Sequence, residues 1–412
     1  MKKLAILGGT PSYKKHLEPQ WPVFSSEEIK NLGKVLESLR WSRFGSFERN
    51  FSESFAKFQG GKYAITTTSG MTALYSALKA LDVKEGDEVI ISAFPQPPAL
   101  AICYIGAVPI FVDISSENLC IDPEKIEEKI TKKTKAIIAI HTHNTMAEID
   151  KILAISKKHK IPLIEDCAHA HGMKFNGVGA GYIGDMGVFS FEQSKVMTCG
   201  DGGLITTNNP KYMNSLLRLT NLGNDLEGKK DRNILGWNLR MTEFHAAILS
   251  SQLKRFPDQM QKKLKNIRHF EEKLNEFSGI SCVIQNNKIE NPTGFLFSLI
   301  YEKKHFSNIP FSLFIQSLRA EGLPVRTRQL SYDTPEVKNY LAKRNIKTSC
   351  PNAEDIVNNS LFTLPHEIFL SDIELMDNII EVFSKVKSLS ISLKKEALKS
   401  KIKDKLKKVI FK

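Results

Sequence analysis

Two side chains near the middle of the chain combine a reactive type with a setting that suits chemistry. An apolar run at 162–164 stops on Glu165 and Asp166, and Lys195 follows 29 residues after that aspartate, shortly before Gly202-Gly203. Such a run reads as a buried strand, which puts the acid at its C-terminal edge, where open α/β sheets bind ligands. Lys195 itself leaves a second apolar run, 188–191, among small residues, a poor place for a solvated role. Desolvation disfavours an ammonium, lowers its pKa and leaves an amine able to attack an aldehyde. A plain strand-end surface charge is the competing reading, and these two residues alone leave both open.

The elements that would position this pair follow from the hydrophobic pattern. Strands are expected at 64–68, 88–92, 108–113, 135–141, 162–166, 188–191 and 204–207, several of them continuous apolar runs of the kind covered on both faces. Helical periodicity falls between them at 71–81, 123–130 and 147–159. This alternation predicts an α/β fold with a mostly parallel, doubly wound sheet. A long polar helix at 252–277 then changes the pattern, followed by a helix at 310–321 and a turn at 351–354. The expected organisation is a large unit over 1–264 with an N-terminal arm, a smaller α+β unit over 265–390, and a tail over 391–412.

Composition narrows the function classes. With 412 residues, 42% hydrophobic and 25% charged, the chain has an ordinary globular balance and length enough for a sizeable core. Six cysteines without a C-x-x-C pair indicate neither a disulfide scaffold nor a zinc ribbon. The net charge of +13 is concentrated at one end: residues 385–412 hold 11 Lys against Glu396 and Asp404, or +9, which leaves only +4 on the rest. A nucleic-acid binder would carry its basic residues on the folded body, so no nucleic-acid partner is expected. The start is too short for a signal peptide and no apolar stretch is long enough to span a bilayer, so a cytoplasmic location is expected.

Beyond these patterns, an ordered set of motifs resembles the DegT/StrS family of sugar and aminocyclitol aminotransferases, which have the three-layer fold type I and use pyridoxal phosphate. The motifs are Ser69-Gly70-Met71-Thr72-Ala73-Leu74, Gly86-Asp87-Glu88-Val89-Ile90, the 131–141 segment, Glu165-Asp166 with Ala168-His169-Ala170, the 189–203 segment and the 236–247 segment. The resemblance implies transfer of an amino group from glutamate or glutamine to a keto-sugar, nucleotide-linked, or to a cyclic polyol ketone. Surface polysaccharide or aminocyclitol synthesis would use the product. The N-terminal stretch and Phe191–Gly203 resemble most the members that aminate scyllo-inosose.

Roles follow from the resemblance one position at a time. Lys195 would condense with the cofactor aldehyde and shuttle the proton, a primary amine on a flexible stem being suited to both. Asp166 would pair with the pyridine nitrogen and favour its protonated form. His169 would face the ring or its 3-oxygen. Ser69, Gly70 and Met71 would offer the phosphate a helix N-terminus, and Ser190 a hydroxyl. Asn238 would reach the phosphate of a second copy, which implies a homodimer with shared active sites. Arg43, Arg240, His143 and Glu192 are candidates for substrate contact.

The chain departs from the family pattern at several of these places. Met71 stands where a threonine is usual, Gln96 where an aromatic ring normally stacks on the cofactor, His143 where a tyrosine is usual, and Glu192 where His, Tyr or Gln is usual. Either Phe94 takes over the stack or the stacking is weaker. A sugar dehydratase or deoxygenase of the same fold is the alternative activity, although the dehydratase branch has histidine in place of the lysine. Metal chemistry at His141-x-His143 and His169-x-His171 finds no carboxylate or cysteine set at ligand spacing, so no metal is expected. Gly8-Gly9 lacks the rest of a dinucleotide fingerprint. In the tail, Ile391, Leu398, Ile402, Leu406, Val409 and Ile410 recur at helical spacing among lysines. Such a basic amphipathic segment either docks on the body or contacts an anionic membrane surface.

Overall fold

The computed structural model describes residues 3–42, 45–95, 97–284 and 286–399. Seven strands form the central sheet: β1 (Tyr63–Thr67), β2 (Glu88–Ser92), β3 (Val108–Val112), β4 (Thr134–Ile140), β5 (Leu163–Asp166), β6 (Met186–Ser190) and β7 (Gly203–Thr207). Their order is β1-β7-β6-β5-β4-β2-β3. β2 to β6 are parallel, and β7 alone runs against its neighbours β6 and β1. Alternate residues leave the strands for opposite faces. Val89 and Ile91 enter one buried cluster and Ile90 the other; Ile138 and Ile140 part from Ile137 and Ala139 in the same way.

Helices cover both faces. α1 (Ser26–Ser38) and α2 (Ser46–Gln59) precede the sheet, α3 (Gly70–Ala80), α4 (Pro98–Ile105) and α5 (Ile149–His159) connect its strands, and α6 (Pro210–Thr220) follows the last of them. α3, α4 and α6 pack on one face through Leu74, Ile102 and Leu216. α2, α5 and the first half of α7 (Glu243–Asn275) pack on the other through Phe55, Ile152, Leu249 and Phe256. The second half of α7 gives Ile267, Phe270 and Leu274 to a third cluster. A smaller antiparallel sheet stands there, β8 (Ile280–Cys282), β9 (Phe297–Tyr301) and β10 (Leu361–Leu364), with α8 (Phe311–Ala320) and α9 (Ile373–Ser388). One continuous helix thus serves both cores and carries the expected boundary near 264 in its interior.

Several expectations need correction. The helix expected at 123–130 is two 3-10 turns, Pro123–Lys125 and Glu127–Lys129, in which Asp122 caps the first through Glu124 N–H. The turn expected at 351–354 is the opening of a helix, Pro351–Asn359, because Pro351 fills a first-turn position whose missing N–H costs nothing. The long helix starts at Glu243, well before the expected 252, under the cap of Thr242. Residues 391–399 of the tail are helical, as their spacing implies. Leu393 is buried in the third cluster and Lys394 Nζ donates to Ser307 O at 2.8 Å, while Ile391 and Leu398 stay exposed. Ile402, Leu406, Val409 and Ile410 lie outside the described residues. Among the described residues no helix is long and apolar enough to cross a membrane.

Phe55 is the hub beneath the site. It is fully buried, and its ring lies within 4.9 to 6.4 Å of Phe51, Phe58, His171, Phe189 and Phe191. Truncating such a ring removes transfer free energy and leaves a cavity. The Phe55→Ala protein is expected to lose about 3–5 kcal/mol of unfolding free energy, measured by urea denaturation; an unchanged midpoint would contradict this packing.

Candidate active site

The site lies at the carboxyl edge of the parallel strands. β5 ends on Asp166 and β6 on Ser190, and Cys167 N–H donates to Val188 O at 2.7 Å to lock the two ends in register. Between β1 and α3 the chain turns at Ser69, whose Oγ accepts from Thr72 N–H at 3.2 Å while Thr72 Oγ1 accepts from Ser69 N–H at 3.0 Å. This reciprocal cap leaves the N–H groups of the first turn, Gly70 and Met71, without intrahelical acceptors. Two glycines permit the close approach. A Cβ on Gly70 would stand 2.7 Å from Ser190 Cβ, and one on Gly203 would stand 2.1 Å from Ser69 O.

These elements enclose a cavity of about 250 Å³ lined by Ser69, Gly70, Met71, Asp166, His169, Ser190, Glu192 and Lys195 among others. Eight positions selected from sequence therefore share one wall-to-wall space. A second cavity of about 430 Å³ adjoins it through Lys195, His169, Pro95 and Pro97, and adds Phe94, His143, Phe295, Arg326 and Arg328.

Electrostatics distinguish the two reactive groups. Lys195 Nζ lies 4.5 Å from the Phe295 ring centroid and makes no hydrogen bond among the described residues. Desolvation lowers its pKa to about 8, with Arg328 adding to the fall and the carboxylates of Asp166 and Glu192 opposing it. Asp166 is buried; desolvation pushes its carboxyl above the usual range, against the Ala168 N–H that donates to Oδ1 at 3.0 Å and the charge of Lys195. His169 Nδ1 accepts from His143 N–H at 3.1 Å, which assigns its proton to Nε2, and burial keeps the ring neutral. Its face lies against Phe295 at 4.4 Å. His143 Nδ1 is 2.7 Å from Ser298 Oγ, and its Nε2 is buried without a partner among the described residues.

The other expected positions, and Glu192 of the cavity wall, make contacts of their own. Phe94 is buried, edge-on to His143 at 5.2 Å, and lines the second cavity rather than the first, where Pro95 and Pro97 stand. Glu192 Oε2 accepts from Ser194 N–H and Oγ–H, so it braces the turn that carries Lys195. Asn238 is exposed, bridged to Asn221 and away from the cavities of its own chain. Arg240 Nη1 donates to Asn221 Oδ1 at 2.9 Å. Arg43 and Gln96 lie outside the described residues.

Three features were not read from sequence. Trp21 Nε1–H donates to Gln193 O at 2.8 Å, and His366 Nε2 donates to Ser194 O at 3.1 Å while its Nδ1 accepts from the buried Lys263 Nζ at 2.9 Å. This backing holds the 193–195 turn, and burial lowers the Lys263 pKa to about 7. Arg326 and Arg328 reach the second cavity from the segment after α8; an R-T-R triplet was the available signal. Third, His141, Glu165 and Cys167 come together in the sheet. His141 Nδ1 accepts from Ala147 N–H, its Nε2 donates to Glu165, and Glu165 also receives the N–H groups of Gly181, Ile183 and Gly184. These bonds make His141 and Glu165 a clamp on the 181–184 loop.

Comparison with known proteins agrees with this geometry. The profile of the DegT/DnrJ/EryC1/StrS aminotransferase family matches residues 22–384. The chain is 30% identical over 414 residues to an L-glutamine:scyllo-inosose aminotransferase of Streptomyces griseus, covering 93% of this chain and 97% of the relative. It is 34% identical over 329 residues to a Micromonospora echinospora protein named as an L-glutamine:3-amino-2,3-dideoxy-scyllo-inosose aminotransferase, covering 78% of each. The solved structure of an aminotransferase from Psychrobacter cryohalolentis superposes with a TM-score of 0.81 at 27% identity, over 90% of this chain and 99% of that one. The expected fold type I is therefore the observed one, and the chain belongs to the DegT/DnrJ/EryC1/StrS aminotransferase family.

Proposed function

We propose that the enzyme holds pyridoxal phosphate in the first cavity and moves an amino group from glutamine to the ketone of a cyclic polyol. The observation that carries this reading is the desolvated Lys195 amine, with a pKa near 8, facing the same cavity as buried Asp166. The donor and the ketone class are suggested by the names of the relatives, in which glutamine and inosose ketones recur.

The residues fit the cofactor at both ends. The first turn of α3, with Gly70 pressed against Ser190, forms a cradle for a dianion that any side chain at position 70 would fill. At the other end stands a carboxylate, the partner that a protonated ring nitrogen requires. When bound, the cofactor supplies an aldehyde that carries the amino group and a ring that takes up the electrons released as a proton leaves the substrate carbon.

This chain's side chains would divide the remaining work. Asp166 would keep the ring nitrogen protonated, and that cation would in turn offset the cost of burying the carboxylate. Lys195 Nζ would take the proton from one carbon and return it to another. His169, neutral and fixed through Nδ1, would present Nε2–H. Ser69 would act through the cap it places on Thr72, and Ser190 through its hydroxyl. His143 and Glu192 border the space left for substrate. Lys195 itself weighs against the dehydratase reading.

A second copy would complete the site through Asn238. Supporting this, the same segment presents Leu235 at 98% and Trp237 at 65% exposure, an apolar face that a monomer leaves in water.

Three outcomes are expected. Purified protein absorbs at the violet edge and bleaches on adding L-glutamine; Lys195→Ala abolishes that response and lowers turnover by on the order of 10⁴-fold, and Asp166→Asn lowers it by on the order of 100-fold. A wild-type protein that aminates scyllo-inosose without such a band would contradict the reading. Because only the free amine captures an aldehyde, the rate at which cofactor-free protein binds pyridoxal phosphate rises with pH up to about 8 and levels off above it, in stopped-flow absorbance; a profile still climbing steeply above that point would contradict the desolvated lysine. Leu235→Asp with Trp237→Asp converts a dimer to a monomer in sedimentation and weakens cofactor retention, whereas a wild-type monomer with full activity would exclude the shared site.

A further inference from the structure

His143 brings an unused hydrogen-bonding atom to the second cavity. The residue lies just beyond β4 and turns there with φ at 56°, a left-handed conformation disfavoured for any residue with a Cβ. Its ring is 1% exposed, lies edge-on to Phe94, and lines the cavity that Lys195 also lines. Ser298 sets the tautomer. The single hydroxyl proton of Ser298 goes to Leu296 O at 3.3 Å, so at 2.7 Å its Oγ receives Nδ1–H of His143. Nε2 then carries a lone pair, buried and without a partner among the described residues. Burial and the charges of Arg328 and Lys195 hold the ring neutral, so Nε2 stays an acceptor. Ser298 is itself pinned, its N–H donating to Asn144 Oδ1 at 3.2 Å, and β9 therefore braces the ring from the small sheet. A buried acceptor left bare is costly unless a ligand brings it a donor.

We propose that His143 Nε2 accepts a hydrogen bond from the hydroxyl on the carbon next to the ketone of the acceptor substrate, and so selects α-hydroxy ketones. This rests on the aminotransfer reading above and adds to it a residue that reads the acceptor. The placement is specific. The carbonyl carbon of the acceptor must come to Lys195, which lines the same cavity and whose charge reaches His143. In a polyol ketone the very next carbon carries a hydroxyl. An α-amino acid gives its nitrogen to the cofactor, and glutamine has a further donor only in the amide at the far end of its side chain. Neighbouring groups are ill suited to that hydroxyl proton: His169 Nδ1 is already occupied by His143 N–H, and a charged Arg328 or Lys195 offers donors alone. A ring held by Ser298 cannot turn away, so a ketone with a methylene at that carbon leaves Nε2 both desolvated and bare. Selectivity of this kind comes from the penalty on the wrong substrate, which a site built for a hydroxyl imposes more strongly than a purely apolar one.

The test uses cofactor-loaded enzyme and two ketones that differ by one such hydroxyl, scyllo-inosose and 2-deoxy-scyllo-inosose. Enzyme first bleached with L-glutamine is mixed with each ketone, and the return of the violet-edge band gives kcat/KM for the ketone half-reaction. Wild type is expected to favour scyllo-inosose by about tenfold or more. His143→Phe keeps a flat buried ring but has no acceptor. It should bring the two ketones within about twofold of each other, chiefly by losing scyllo-inosose, and raise the KM for that ketone more than the KM for glutamine. Ser298→Ala removes the acceptor that fixes the Nδ1 proton and releases the tautomer, so its preference should fall between. It serves alone should the phenylalanine variant not fold, thermal unfolding being recorded for both. A wild type indifferent to the hydroxyl would overturn the assignment, as would variants that lose both ketones equally. A loss confined to the glutamine half-reaction would also overturn it, and would give Nε2 to the side-chain amide of the donor. A wild-type protein lacking the cofactor band would instead contradict the aminotransfer reading, while a normal band with an unaltered ketone preference in the variants would contradict only the role of His143.

Discussion

The arrangement depends on one electrostatic constraint, the burial of an amine and a carboxylate in a single small cavity. Burial pushes the two groups in opposite directions, Lys195 down to about 8 and Asp166 up, and each charge partly relieves the other. Neither is held by a direct hydrogen bond to its opposite. The amine instead rests over the Phe295 ring, a position that costs it solvation without tying up its lone pair. An amine left available in this way is a better nucleophile than one locked in an ion pair.

The sheet makes that constraint sustainable. Parallel strands deliver Asp166 and Ser190 to one edge in fixed register, and the reversed β7 brings Gly203 against the Ser69 turn, so that the opening of α3 faces them. The turn bearing Lys195 is held by Glu192 on one side and by Trp21 and the Lys263–His366 pair on the other. Trp21 comes from the N-terminal arm, Lys263 from α7 and His366 from the segment after β10, so three distant parts of the chain meet behind a single peptide turn. The C-terminal part of the chain therefore reaches the site through Arg328 and His366.

Much of this was legible in the residues alone. The strands showed as short β-branched runs because burial on both faces forbids polar interruption, and the sheet edge followed from where the 162–164 run met Glu165 and Asp166. Lys195 and Asp166 stood out through the family-like motifs around them, since their place after apolar runs alone left a surface charge open. What escaped notice depends on distance or competition. Lys263 and His366 are 103 residues apart and meet only through tertiary packing. The 123–130 segment has helical spacing, yet Asp122 and Pro123 commit it to tight turns before an α-helix can propagate. Pro351 reads as a turn former in isolation, whereas its ring suits the first turn of a helix just as well. Phe94 stands two residues before the usual stacking position, and its side chain is drawn onto His143 in the buried ring cluster.

The central claim is most directly tested by locating the covalent attachment. Purified enzyme would be treated with borohydride, digested and mapped by mass spectrometry. The account predicts a single pyridoxyl phosphate adduct on Lys195, lost in the Lys195→Ala protein and displaced by prior incubation with L-glutamine. An adduct on Lys263, the other buried lysine with a depressed pKa, or none on Lys195 in active enzyme, would contradict it.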